Sequence, residues 1–223
     1  MLFQQVRNAA TGAYSYILGD RNNRIGIVID PIADNQDVLL ALIEDMGLEL
    51  QLILLTHADP EAVALRSRAG GTIVVGSGCN FPDADLQTTH GAHIMFGDEV
   101  IHVIGTPGYT RCSVSYRWRD RLFTGNTLLI GSCGSTTLEG SDAGSLFDSV
   151  TNRLFTLPQE TLMFPGIDLN GRTVSTIAEE KAFNPCFSSR SRASFVTLMS
   201  TTSPSPFLTR QNVSARPREM PGS

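Results

Sequence analysis

A chain of 223 residues is long enough for one substantial core, and its 41% hydrophobic and 17% charged content is that of a globular protein. No apolar run approaches the roughly 18 residues that cross a bilayer, which argues against a membrane protein. The net charge of −5 is uneven, because five arginines and one glutamate from Ser188 onward leave residues 1–187 at −9; so acidic a body speaks against nucleic acid as a partner.

The chain opens on strand-like sequence without a leader, so cytoplasm is the expected compartment. Residues 14–19 and 25–30 are apolar, β-prone runs on either side of Asp20-Arg21-Asn22-Asn23, which predicts a hairpin. Asp34 then opens a helix whose apolar positions Val38, Leu39, Leu42, Ile43 and Met46 recur at helical spacing before Gly47. The run 50–55, apolar but for Gln51, predicts a strand buried on both faces. Asp59-Pro60-Glu61 is a helix start: a capping carboxylate, a proline at the first position and an acid in the first turn. That helix ends at Gly70-Gly71 and is followed by a strand at 72–75. Two more hairpins are expected, around Gly97-Asp98 and around Arg119-Asp120-Arg121. Leu146, Val150, Leu154 and Phe155 mark a helix, 162–164 a short strand and 173–181 a last helix. Strand pairs interleaved with helices predict an α/β layered domain with mixed sheets over residues 1–187. Of the 36 residues from Ser188 to Ser223, 17 are Ser, Thr or Pro, and residues 188–223 are expected to be a disordered tail.

Cys79, Cys112, Cys133 and Cys186 are widely separated with no Cys-x-x-Cys pair, so four free thiols are expected. His90 and His93 could clip a surface metal but have no third ligand nearby, while His102 reads as a structural strand residue.

Three stretches carry glycine turns of the kind that aim metal ligands: Thr106-Pro107-Gly108-Tyr109, Phe123-Thr124-Gly125-Asn126, and Phe164-Pro165-Gly166-Ile167-Asp168. They offer a phenol, an amide and an alkyl group where a divalent ion needs imidazole or carboxylate. The run from Phe164 through Thr173-Val174-Ser175-Thr176 to Phe183-Asn184-Pro185, with Leu128-Leu129-Ile130-Gly131-Ser132-Cys133-Gly134, resembles the persulfide dioxygenases. These belong to the metallo-β-lactamase superfamily and are close relatives of the glyoxalase II hydrolases. The resemblance covers about residues 2 to 186 and implies an αββα sandwich of two mixed sheets with a metal cleft at one edge.

It also implies an iron held by two histidines and an aspartate, and oxidation of glutathione persulfide to sulfite and glutathione. His57 falls where the first histidine of the family's Thr-His-x-His-x-Asp-His box belongs, if two positions are deleted before Asp59 and Pro60. A gap-free register would instead make His57 the second histidine and Leu55 the first. The gapped register is preferred because it keeps the spacing of Thr56-His57 from the preceding helix. The second iron histidine is Tyr109 here, the aspartate is Asn126, and the second-site histidine of the hydrolases is Ile167. On the substrate side Cys133 remains, but the family's arginine is Ser135 and its tyrosine is Leu169. Losing that arginine forfeits a charge-assisted contact worth about 1.5–3 kcal/mol.

The expectation is a catalytically silent persulfide-dioxygenase-like protein without a cofactor, its catalytic residues unknown, acting as a scaffold or as a binder of glutathione or sulfane sulfur. Pairing through the family's dimer surface, as a homodimer or with an active paralogue, accompanies it. The alternative is a working iron-dependent persulfide dioxygenase or thioester hydrolase whose site is rebuilt from His57, Asp59 and Tyr109.

Overall fold

The computed structural model describes residues 1–201. Six strands form a first sheet in chain order: β1 (Leu2–Arg7), β2 (Tyr14–Asp20), β3 (Ile25–Ile29), β4 (Glu49–Leu54), β5 (Thr72–Gly76) and β6 (Leu86–Thr88). The pairs β1/β2 and β2/β3 are antiparallel; from β3 to β6 the pairing is parallel. Helices α1 (Gln36–Asp45) and α2 (Glu61–Ala69) make the parallel crossovers.

The second sheet contains β7 (His93–Phe96), β8 (Glu99–Gly105), β9 (Val114–Trp118) and β10 (Arg121–Gly125). A separate two-stranded ribbon, β11 (Leu128–Leu129) with β12 (Ser132–Cys133), comes next in the chain. The sheet is completed by β13 (Leu162–Pro165) and β14 (Ser175–Thr176), in the order β14-β13-β10-β9-β8-β7. The β10/β13 pair is parallel and its other pairs antiparallel, so both sheets are mixed as expected.

Side-chain alternation sets the layers. Along β3, Ile27 and Ile29 enter the core between the sheets with Tyr14, Tyr16, Phe123 and Phe164, whereas Val28 faces Leu39, Ile43 and Leu65 under α1 and α2. On the far side, Leu122 and Met163 meet Leu146 and Val150 of α3 (Ala143–Ser149) and its π-helical continuation Val150–Leu154. Helix α4 (Ile177–Phe183) and helix α5 (Arg192–Thr201) complete that layer. The result is the αββα sandwich. The expected hairpins all form, the second pairing Phe96 with Glu99 and the third Trp118 with Arg121.

Three expectations need correction. The last helix begins at Ile177 and not at 173, because the Thr176 side chain accepts the Glu179 N–H (3.1 Å) and caps it there. The expected tail starts with structure: in α5, Phe195 and Met199 are buried, Phe195 stacks on Phe187 at 5.2 Å between centroids, and Arg192 bonds Asp148 at 3.0 Å. Residues 202–223 of that expected tail lie outside the described residues. Finally, Cys79 and Cys112 form a disulfide with Cα atoms 5.1 Å apart; only Cys133 and Cys186 are free, and both are buried. No described helix is long and apolar enough to cross a membrane.

Candidate active site

The segments that follow β3, β4, β8, β10 and β13 converge at one edge of the sandwich. Asp30, directly after β3, adopts φ 48°, a left-handed backbone that aspartate tolerates better than most residues. Its carboxylate accepts the Thr56 N–H (2.8 Å) and the Thr56 hydroxyl (2.7 Å), fixing the segment after β4. Burial pushes the Asp30 carboxyl above its ordinary 3.8, while His57 and the Thr56 donors pull it back. The Thr56 hydroxyl also lies 3.0 Å from Nδ1 of His57, which orients that ring. Gly125 closes over this pair with φ 51°, where a Cβ would sit 2.2 Å from the Thr56 Oγ1. Asp30 was not singled out from the sequence; an Asp-Pro pair ending a β-prone run was the available signal.

His57 meets Tyr109 edge to face, with ring centroids 5.3 Å apart. Burial raises the Tyr109 phenol above its ordinary 10.0, the nearby Asn126 amide opposes the shift, and Asp59 and Asp30 add to the rise. The phenol is therefore protonated at neutral pH. Asp59 accepts the Glu61 N–H at 2.9 Å, but α2 begins at Glu61 with Pro60 in the cap position, one residue later than the sequence context predicted. Gly134 fits against this group closely: a Cβ there would lie 2.6 Å from Cδ2 of Tyr109 and 2.3 Å from the Asn126 carbonyl oxygen.

The structure thus brings His57, Tyr109 and Asn126 together, with Asp59 near enough to act on the phenol electrostatically. The other positions are engaged elsewhere. Ile167 forms a backbone bridge with Ala13. The Ser135 hydroxyl bonds Thr137 Oγ1 at 2.8 Å. Leu169 packs over Gly12, and the buried Asp168 beside it accepts the Asn170 and Arg172 N–H groups at 2.8 and 2.7 Å. Cys133 is fully buried; the neighbouring Cys186 thiol and burial raise its own thiol well above the usual range, so it is no accessible nucleophile. His90 accepts the Gly105 N–H at 3.3 Å, and His93 pairs with His102 across β7 and β8 at 4.6 Å, so the His90–His93 clip does not form.

The donor set does not fit a firmly held iron. One imidazole, one carboxylate engaged by the Glu61 N–H, a protonated phenol and a neutral amide supply too few strong ligands for an ion that favours two histidines and a carboxylate. Among the described residues no group of three or more His, Cys, Asp or Glu is placed to hold a metal.

No protein-family model matches the chain. Persulfide dioxygenase ETHE1, mitochondrial, of Mus musculus is 35% identical over 191 residues, which cover 83% of this chain and 75% of that protein. A hydroxyacylglutathione hydrolase of Thermosynechococcus vestitus is 33% identical over 192 residues, covering 82% and 74%. Among solved structures, the crystal structure of ETHE1 from Myxococcus xanthus superposes with a TM-score of 0.84 at 38% identity, covering 90% of each chain.

Proposed function

The chain belongs to the persulfide dioxygenase branch of the metallo-β-lactamase superfamily, and from that premise we propose that it is a catalytically silent member, retained as a scaffold that binds glutathione or sulfane sulfur. The observation that carries this reading is the contact of His57 with a protonated Tyr109 beside Asn126, where the resemblance implies ionic or imidazole ligands. A neutral phenol and amide leave His57 without the anionic and imidazole partners that hold iron. No cofactor is therefore expected. Pairing through the family's dimer surface, as a homodimer or with an active paralogue, accompanies this reading. Cytoplasm stays the proposed compartment.

A second reading is favoured by the names of the relatives: an active iron-dependent persulfide dioxygenase, or a thioester hydrolase acting on hydroxyacylglutathione. The two readings are separated on the full-length protein by measuring bound iron and zinc. Oxygen uptake with glutathione persulfide and hydrolysis of an acylglutathione complete the comparison. The silent reading expects substoichiometric metal and no turnover. Stoichiometric metal with turnover replaces it by the second reading.

A further inference from the structure

The Cys79–Cys112 disulfide is the reactive chemistry that the proposed function leaves unused. Cys79 follows β5 of the first sheet, whereas Cys112 stands in the segment between β8 and β9 of the second, three residues beyond Tyr109. The bond therefore joins the two sheets beside the candidate site. The same segment is tied to the His57 strand end by a hydrogen bond from the Val114 N–H to the Thr56 carbonyl (2.8 Å), and Thr110 Oγ1 lies 3.6 Å from the Cys112 sulfur. Cys79 is half-buried and Cys112 is 7% exposed, so a small reagent arriving from solvent meets Cys79 first. The other two cysteines are buried and out of reach.

We propose that Cys79 and Cys112 form a dithiol–disulfide couple that takes sulfane sulfur from a low-molecular-weight persulfide and releases it as sulfide. This rests on the reading above that the chain binds sulfane sulfur, and not on whether it holds iron. In the first step the Cys79 thiolate attacks the outer sulfur of the persulfide. The S–S bond of the persulfide breaks, the parent thiolate leaves and takes up a proton, and Cys79 carries the extra sulfur. In the second step the Cys112 thiolate attacks the inner sulfur of Cys79, the new S–S bond breaks, and hydrosulfide leaves as the protein disulfide closes. Two cysteine sulfurs are oxidised and one sulfane sulfur is reduced to sulfide, so the electrons balance. Two thiols of the glutathione class reopen the disulfide by exchange, forming their own disulfide.

The test uses the full chain, reduced, freed of reductant and kept without oxygen. Glutathione persulfide is added; sulfide release is measured and the cysteines are mapped by peptide mass. The proposal expects one equivalent of sulfide per chain, with the Cys79–Cys112 peptide re-formed. Cys112→Ser should keep an extra sulfur on Cys79 and release sulfide roughly tenfold more slowly, and Cys79→Ser should carry none. Equal sulfide from wild type and Cys79→Ser overturns the proposal, as does a disulfide that re-forms with hydrogen peroxide or oxidised glutathione but not with persulfide. The wild-type peptide map decides the matter even where a serine variant folds poorly. Oxygen uptake and sulfite report on the iron reading instead, so the two can fail separately.

Discussion

His57 and Tyr109 stand edge to face with ring centroids 5.3 Å apart, a histidine and a protonated phenol where the resemblance implies two imidazoles facing one ion. Replacing Tyr109→His and Asn126→Asp together supplies, with His57, two imidazoles and a carboxylate, a set suited to iron. Bound iron in the purified double variant is expected to rise to near one per chain, while either single variant stays far below. Metal analysis of the three proteins checks this. A double variant that remains empty would make the loss at the Thr56–Pro60 box decisive by itself.

Helix α5 is part of the fold. Phe195 is fully buried against Phe147 and Phe187, with centroids 5.4 and 5.2 Å away, and Arg192 anchors the helix start to Asp148. Phe195→Ala is expected to cost about 3–5 kcal/mol in urea unfolding, from lost burial and the cavity left behind. A chain ending at residue 187 should lose more, because Phe147 and Phe187 then face water. An unfolding midpoint unchanged by Phe195→Ala would mean that the helix does not pack in solution.

The layered architecture could be read from the sequence because each part of it is locally encoded. Ile27, Val28 and Ile29 alternate between two cores, and Asp59-Pro60-Glu61 starts a helix by its own chemistry. What escaped depends on averaging or on distance. The Ser/Thr/Pro content of 188–223 masked Phe195 and Met199, four residues apart on one helix face. Cys79 and Cys112 are 33 residues apart and meet only because one sheet stacks on the other. Asp30 gained its role from a left-handed backbone that no periodicity reports. His57, Tyr109 and Asn126 sit after three different strands, so the resemblance, and not their spacing, brought them into one list.

Stability should fall in acid through Asp20. Its carboxylate sits in the β2–β3 turn, away from the candidate site, and accepts the Asp98 N–H of the facing hairpin (2.8 Å), the Asn22 N–H (2.9 Å) and the Asn23 side-chain amide (2.7 Å). The Asp98 bond leads the Asn23 bond in holding the carboxyl down from its ordinary 3.8 to about 2. A depressed folded-state value contributes stability that is fully present above the unfolded value and is lost as pH falls through the folded one. Thermal midpoints should therefore drop between about pH 4 and pH 2, and Asp20→Asn should flatten that part of the profile. Parallel profiles for the two proteins would remove Asp20 from the explanation.

Reducing the Cys79–Cys112 bond frees a 33-residue separation in the unfolded chain. The chain-entropy account assigns such a closure about 2–4 kcal/mol, so a reductant should lower the thermal midpoint of wild type and leave Cys79→Ser/Cys112→Ser unmoved. Calorimetry with and without reductant reads this directly. The comparison also isolates the disulfide from the buried Cys133 and Cys186, which both proteins retain.

Gly134 packs closely against the candidate site. An added methyl would lie 2.6 Å from Cδ2 of Tyr109 and 2.3 Å from the Asn126 carbonyl oxygen, so one obstacle is a ring and the other is backbone. Gly134→Ala is expected to destabilise by about 1–3 kcal/mol, as overpacking does where the neighbours cannot withdraw. Tyr109→Ala removes the ring but not the carbonyl, so in a double-mutant cycle it should recover only part of that loss. Recovery of the whole loss would show that the Asn126 backbone moves aside, and the turn after β10 would then be softer than its close contacts imply. Denaturant midpoints for the four proteins of the cycle give the coupling energy that decides between these outcomes.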